Sequence, residues 1–184
     1  MSRIRSLKPN LSRDEAVAYF SSGRTLDGVR TLFLGPLRSV ADLYIPFRLF
    51  RVEVSNLGQT QFRFLALDAV QGTLDLYDFP QAPSSSDVVM LETRNCLTSG
   101  LDDACALELL RDKFRRLLFA HGFFRLRKAG ITATALPGEI YIPYWVGFRG
   151  RGIRAHVEVI DAVRRRSEGA KVRKLIEEWI VSAP

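Results

Sequence analysis

One three-residue word, followed each time by an aromatic residue, occurs twice in this chain, and it constrains the fold more than any other feature. Tyr44-Ile45-Pro46 runs into Phe47, and Tyr141-Ile142-Pro143 runs into Tyr144. An apolar residue precedes each word. Asp-Ala-Val follows each at a distance, as Asp68-Ala69-Val70 and Asp161-Ala162-Val163. Pro46 to Asp68 is 22 positions and Pro143 to Asp161 is 18. The shortfall falls in the turn-like middle. A duplicated hairpin tolerates that, because loops absorb deletions whereas a one-residue slip in a strand turns its side chains to the wrong face.

Side-chain alternation supports strands in both copies. Phe50, Val52 and Val54 alternate with Arg51 and Glu53; Ala155, Val157 and Val159 alternate with Arg154, His156 and Glu158. A period of two is the mark of a half-buried strand. The connections SNLGQT and RGRG both carry glycine, as hairpin loops require. The expected antiparallel pairs are 43–54 with 61–68 and 139–148 with 153–160. Proline has no N–H for a ladder, so each Tyr-Ile-Pro belongs at a strand start, an edge or a bulge.

Helices are expected around the hairpins. Ser12 and Glu15 fit a capping box, with Val17 and Phe20 on the inner face and a stop near Gly23. Ser99 with Asp102 reads as a similar start, followed by the stripe Leu107, Leu110, Phe114, Leu117 and Leu118 and limited by Gly122. Near the end, Val172, Leu175, Ile176 and Trp179 form a third stripe, with Arg173 and Glu177 placed to pair at i,i+4. TLDLYDF reads as a further strand, and PQAPSSSD as a linker.

The chain therefore divides into a first α+β repeat at 1–82, a linker at 83–87, and a second α+β repeat at 88–184 that ends in the C-terminal helix. Together they form one compact unit. The expected fold is α+β: internally duplicated helix plus antiparallel β-hairpin units, related by a pseudo-two-fold. The helices would cover one side of an antiparallel sheet.

Composition removes several classes. Hydrophobic residues make up 47% of the chain, with 12 Phe, 5 Tyr and 2 Trp, which excludes a disordered chain. Apolar runs such as RLLFAHGFF are too short to span a bilayer. MSRIRSLKPN has no apolar stretch behind it and does not read as a secretory signal. A cytoplasmic protein with no membrane partner is expected. Cys96 and Cys105 read as small apolar residues rather than a disulfide. With no CxxC, and His121 and His156 elsewhere in the sequence, neither a metal nor another cofactor is expected.

Charge is uneven. Residues 1–98 hold 11 basic and 10 acidic groups, whereas residues 99–184 hold 16 and 10. The excess points to an anionic partner for the second half. Its hairpin is also the more aromatic. Tyr141, Tyr144, Trp145 and Phe148 with Arg149, Arg151, Arg154 and His156 form the candidate ligand- or partner-binding set. Further basic residues lie at Lys113, Arg115 and Arg116, and at Arg164, Arg165, Arg166 and Lys171.

These features favour a non-enzymatic binding or assembly module for an acidic protein or peptide. A nucleic-acid-binding protein using the same basic face is the alternative. A hydrolase-like enzyme is the third reading, with Asp68 and Asp161 paired or His156 as a base. Against it, aspartate after a strand ordinarily accepts N–H groups of the next turn. Homo-oligomerisation is left open. No P-loop, GxGxxG or helix-turn-helix signature is present.

Overall fold

The structure is a computed structural model that describes residues 1–21, 35–56, 59–120, 130–150 and 156–182. In chain order the elements are β1 (Ser2–Leu7), α1 (Arg13–Ser21), β2 (Leu37–Asn56), β3 (Gln59–Asp68), β4 (Tyr77–Phe79), β5 (Val88–Thr93), α2 (Asp103–Ala120), β6 (Gly130–Arg149), β7 (His156–Asp161), β8 (Arg166–Ser167) and α3 (Ala170–Ser182). Among the described residues this is a mixed α/β fold, a curled and mostly antiparallel sheet with three helices. The strand order is β4-β3-β2-β6-β1-β5, with β7 on β6 and β8 on β7.

Two strands of 20 residues, β2 and β6, form the centre. They run antiparallel, with Ile45 opposite Ile142. The second arm of each hairpin joins one end of this pair. β3 pairs with β2 from Phe47↔Asp68 outward, and β7 pairs with β6 from Tyr144↔Asp161 outward. Each ladder thus begins one residue after a proline. Pro46 and Pro143 start their hairpins, as expected, yet lie inside the two long central strands. Only their missing donors are lost. Pro46 O accepts the N–H of Ala69 at 2.8 Å and Pro143 O accepts that of Ala162 at 3.0 Å.

β1 and β5 were not foreseen. They pair antiparallel with Ile4 opposite Leu91. β1 meets β6 in parallel at Ser6↔Tyr141, and Cys96 meets Tyr44 in a parallel bridge. The chain beyond each contact then crosses to the opposite half. Asn10 and Leu11 donate their N–H groups to Ala162 O at 2.8 and 3.0 Å. Gly100 and Leu101 donate theirs to Ala69 O at 2.8 and 3.0 Å. Each of α1 and α2 is therefore launched from the other half's Asp-Ala-Val turn.

The expectation of helices on one side is corrected, because both faces of the sheet are covered. On one face lie Leu43, Ile45, Phe47, Ile140, Ile142 and Tyr144, packed with Val172, Leu175 and Ile176 of α3. On the other, α2 brings Ala106, Leu110 and Phe114 against Phe50, Val52, Leu65, Leu67 and Ala133. Beside it, α1 brings Ala16 and Phe20 against Val40, Ile160 and Ala162. Central strands sandwiched this way need apolar residues at both parities, which is why both Tyr-Ile-Pro segments read as continuous apolar runs.

Several local readings hold. In the α1 box, Ser12 N donates to Glu15 Oε2 at 2.8 Å and Glu15 N to Ser12 Oγ at 3.3 Å. Ala16 rather than Val17 shares its inner face with Phe20, and Val17 is exposed. α2 begins after Asp102, whose Oδ1 accepts Cys105 N at 2.8 Å, so Asp102 rather than Ser99 is the cap. TLDLYDF contributes only Tyr77–Phe79 to the sheet. The i,i+4 ion pair on α3 is Lys174–Glu178 at 3.7 Å, in place of the expected Arg173–Glu177. Cys96 and Cys105 are free and half-buried. Gly23, Gly58, Gly122 and Gly152 lie outside the described residues. No described helix is long and apolar enough to cross a membrane.

Candidate functional site

The alternation that builds β6 divides the expected binding residues between its faces. Tyr144 and Phe148 point to the α3 side, where Tyr144 is 3% exposed and Phe148 packs at the rim of the core. Tyr141, Trp145 and Arg149 have the opposite parity. Trp145 packs in the α1 cluster, and its Nε1 donates to Leu11 O at 2.9 Å. Arg149 is buried; its Nε donates to Glu158 Oε2 at 2.8 Å, and its Nη2 donates to Phe20 O at the end of α1. Such a cation ties the hairpin to the helix rather than meeting solvent. Tyr141 is half-buried, its carbonyl accepting Ser6 Oγ at 3.1 Å, and burial pushes its phenol pKa up. His156 is exposed opposite Arg149. Arg151 and Arg154 lie outside the described residues, as does His121.

Both aspartates are fully buried. Asp68 Oδ1 accepts the N–H groups of Gln71 and Gly72, at 3.0 and 2.8 Å, and its Oδ2 accepts that of Leu74 at 2.8 Å. Asp161 Oδ1 accepts the N–H groups of Val163 and Arg164, both at 2.8 Å, and the Tyr77 hydroxyl at 3.4 Å. Each carboxylate is thus engaged by the turn that follows it. The difference lies in the second oxygen: Asp161 Oδ2 is buried without a partner among the described residues. Four positions beyond each aspartate the backbone is left-handed, with φ 67° at Gly72 and 56° at Arg165.

Beside the second turn lies a cleft of about 270 Å³. Its apolar wall is Phe47, Leu74, Leu76 and Val172; its polar wall is Tyr77, Tyr144, Arg164, Arg166 and Glu168; Gly169, Ala170 and Lys171 close it at the start of α3. The Arg164 guanidinium stacks 3.3 Å above the Tyr77 ring and donates to Asp78 O at 3.1 Å. Arg166 lies 3.3 Å from Glu168, and Lys171 pairs with Asp75. Lys113 of α2 donates to Leu74 O from behind the apolar wall, and its burial lowers its pKa.

Burial dominates the electrostatics here. Desolvation raises the Glu168 pKa, with Asp161 reinforcing and Arg166 opposing. Tyr77 and Tyr144 are both raised by burial and, next, by the Asp161 charge. Among the described residues of the expected binding set, only Tyr144 reaches this cleft. The sequence does mark its cations, but only as further basic residues outside the hairpin set. The missed signal was their position: three arginines directly after Asp-Ala-Val, then Gly169 opening an amphipathic helix. Tyr77, brought from the first half by β4, carried no signal of its own.

Among the described residues no group of three His, Cys, Asp or Glu side chains is placed to hold a metal ion. No known protein family, curated protein or solved structure matches the chain.

Proposed function

We propose that this is an internally duplicated, non-enzymatic binding module that takes an anionic group of an acidic protein or peptide at its second half. One observation carries the reading. The Asp-Ala-Val turn of the first half spends its carboxylate on three N–H groups and continues into the uncharged Gln71, Gly72 and Thr73. The same turn in the second half continues into Arg164, Arg165 and Arg166 and borders an open cleft. Divergence of one copy from a shared framework is how a duplicated unit acquires a site.

The duplication is supported by matched bonds in the two halves. Pro46 and Pro143 accept from Ala69 and Ala162; Ala69 and Ala162 accept from the residues that launch α2 and α1. A pseudo-two-fold relating these bonds would pass through the pair of Ile45 and Ile142, which lie opposite each other.

An acidic peptide suits the cleft better than a nucleic acid. The concavity is discrete, and the cations at its rim are interspersed with Asp75 and Glu168 rather than drawn into a continuous positive stripe along which a phosphate backbone would run. Apolar docking with charge-assisted hydrogen bonds is the expected mode.

The test is fluorescence anisotropy with a labelled Glu-rich peptide and labelled mixed-sequence single-stranded DNA. Peptide binding that falls at least tenfold in an Arg164→Ala/Arg166→Ala variant supports the reading. Absence of peptide binding, or preferential DNA binding with steep salt dependence, overturns it in favour of the nucleic-acid alternative.

A further inference from the structure

We propose that the cleft beside the second turn binds a single carboxylate carried on an apolar body, the arrangement found at the C-terminus of a peptide that ends in an apolar residue. The inference rests on the binding-module reading and deepens it by naming the group that is seated.

The first observation is the start of α3. This 13-residue helix is preceded by Gly169, whose carbonyl accepts Arg173 N at 3.3 Å, so the cap position has no side chain. The first turn holds no acidic residue and carries Lys171 instead. Among the described residues no side chain accepts from its leading N–H groups. Unspent amides with the positive end of the helix dipole favour an oxyanion.

The second observation is independent. Tyr144, on a strand of the central pair, is 3% exposed and lines the same cleft. Among the described residues no group hydrogen-bonds its hydroxyl. The hydroxyl is not among the fully buried atoms that lack a partner, so its O–H opens to the cleft and is a donor available to an acceptor there. Helix amides from one side and a phenol from the other suit a planar carboxylate.

Charge decides between carboxylate and phosphate. Arg164, Arg166 and Lys171 border the cleft and Lys113 stands behind it; Asp75 and Glu168 border it and Asp161 stands behind Tyr77. Behind the wall Lys113 faces Asp68, and Arg164 faces Asp161 at Tyr77; in the lining itself three cations against two carboxylates leave one positive charge, which matches a monoanion and not a phosphate dianion. Size agrees. The cleft holds roughly nine water volumes, about one apolar amino-acid residue. Phe47, Leu74 and Val172 offer that residue an apolar wall.

The test is an amide-resolved NMR titration of the full chain with N-acetylphenylalanine, its uncharged amide and inorganic phosphate. N-acetylphenylalanine should move the amide signals of Gly169, Ala170 and Lys171, with the other two compounds binding at least tenfold more weakly. Tyr144→Phe should weaken the carboxylate about tenfold by loss of one charge-assisted hydrogen bond. Lys171→Ala, at an exposed position, reports on the same site should Tyr144→Phe unfold. Equal binding of the amide, shifts that map elsewhere, or unchanged affinity in both variants overturns the proposal. If the Glu-rich peptide still binds through Arg164 and Arg166 while N-acetylphenylalanine does not, only this inference falls. If neither binds, the binding-module reading falls with it.

Discussion

Ile45 and Ile142 face each other across the central antiparallel ladder, so the two Tyr-Ile-Pro words pair with one another: Tyr44 lies opposite Pro143 and Pro46 opposite Tyr141. Both isoleucines are fully buried in the cluster under α3. Replacing either by alanine removes the same contacts from opposite sides. Each substitution should cost about 2–5 kcal/mol. The double variant should depart from additivity by at least about 0.5 kcal/mol, because each residue's loss is felt at the other. Urea unfolding with an unchanged m-value checks this. A cost under about 1 kcal/mol for either variant would place the centre of the core elsewhere.

The crossing bonds predict interdependent halves. Asn10 and Leu11 cap Ala162, and Gly100 and Leu101 cap Ala69. The central β2–β6 ladder also joins the two. Residues 1–82 and 83–184 made as separate fragments should each lack fixed tertiary structure. Mixed, they should recover it, because most of the core lies between them. Near-ultraviolet circular dichroism and amide shift dispersion read the outcome. A fragment that folds alone would show that a half-sheet suffices.

Much of this frame was legible. The hairpin ladders follow from alternation, and Phe47↔Asp68 and Tyr144↔Asp161 mark where each ladder begins. The capping box at Ser12 and Glu15 was legible because its bonds are local in sequence. β1 and β5 were not, since SRIRSL and VVMLET are short and only their mutual pairing makes them strands. The length of β6 was also hidden. Residues 130–138 alternate weakly, and between Glu139 and Ala135 the register against β2 shifts around Gly138, whose φ is 78°. The described members of the binding set are divided between two faces for a simple reason. Tyr141 to Arg149 are consecutive in sequence, but a strand sends neighbours to opposite faces. The cleft depends on Tyr77 and Lys113, which tertiary packing alone brings to the second turn.

The two Asp-Ala-Val turns should respond differently to substitution at their left-handed positions. Alanine at Gly72 would adopt φ 67° and put its Cβ 2.7 Å from Leu109 Cδ1. Left-handed strain of about 1–2 kcal/mol adds to that contact. Arg165 already occupies the same region at φ 56°. Arg165→Gly relieves the strain while losing exposed bonds to Glu15 and Asn10 O, which contribute little. Gly72→Ala should therefore cost more than about 1 kcal/mol, and Arg165→Gly should stay within about 1 kcal/mol of the parent. Thermal unfolding of both variants checks the ordering, and the reverse order would contradict it.

Glu168 should give stability a pH dependence of identifiable sign. Burial is the main cause of its raised pKa, with Asp161 adding and Arg166 opposing. A carboxyl whose pKa is higher folded than unfolded binds its proton more tightly in the native state. Its favourable contribution is present below the ordinary carboxylate range and is lost as pH rises through the folded value. Glu168→Gln cannot ionise and so escapes that loss. Relative to the parent, the variant should gain stability as pH rises from about 4 to about 7, spanning the usual carboxylate range. Urea midpoints measured at several pH values for both proteins resolve the trend. A parent that gains on the variant over that interval would mean that Arg166 outweighs desolvation and that Glu168 is stabilised as the anion.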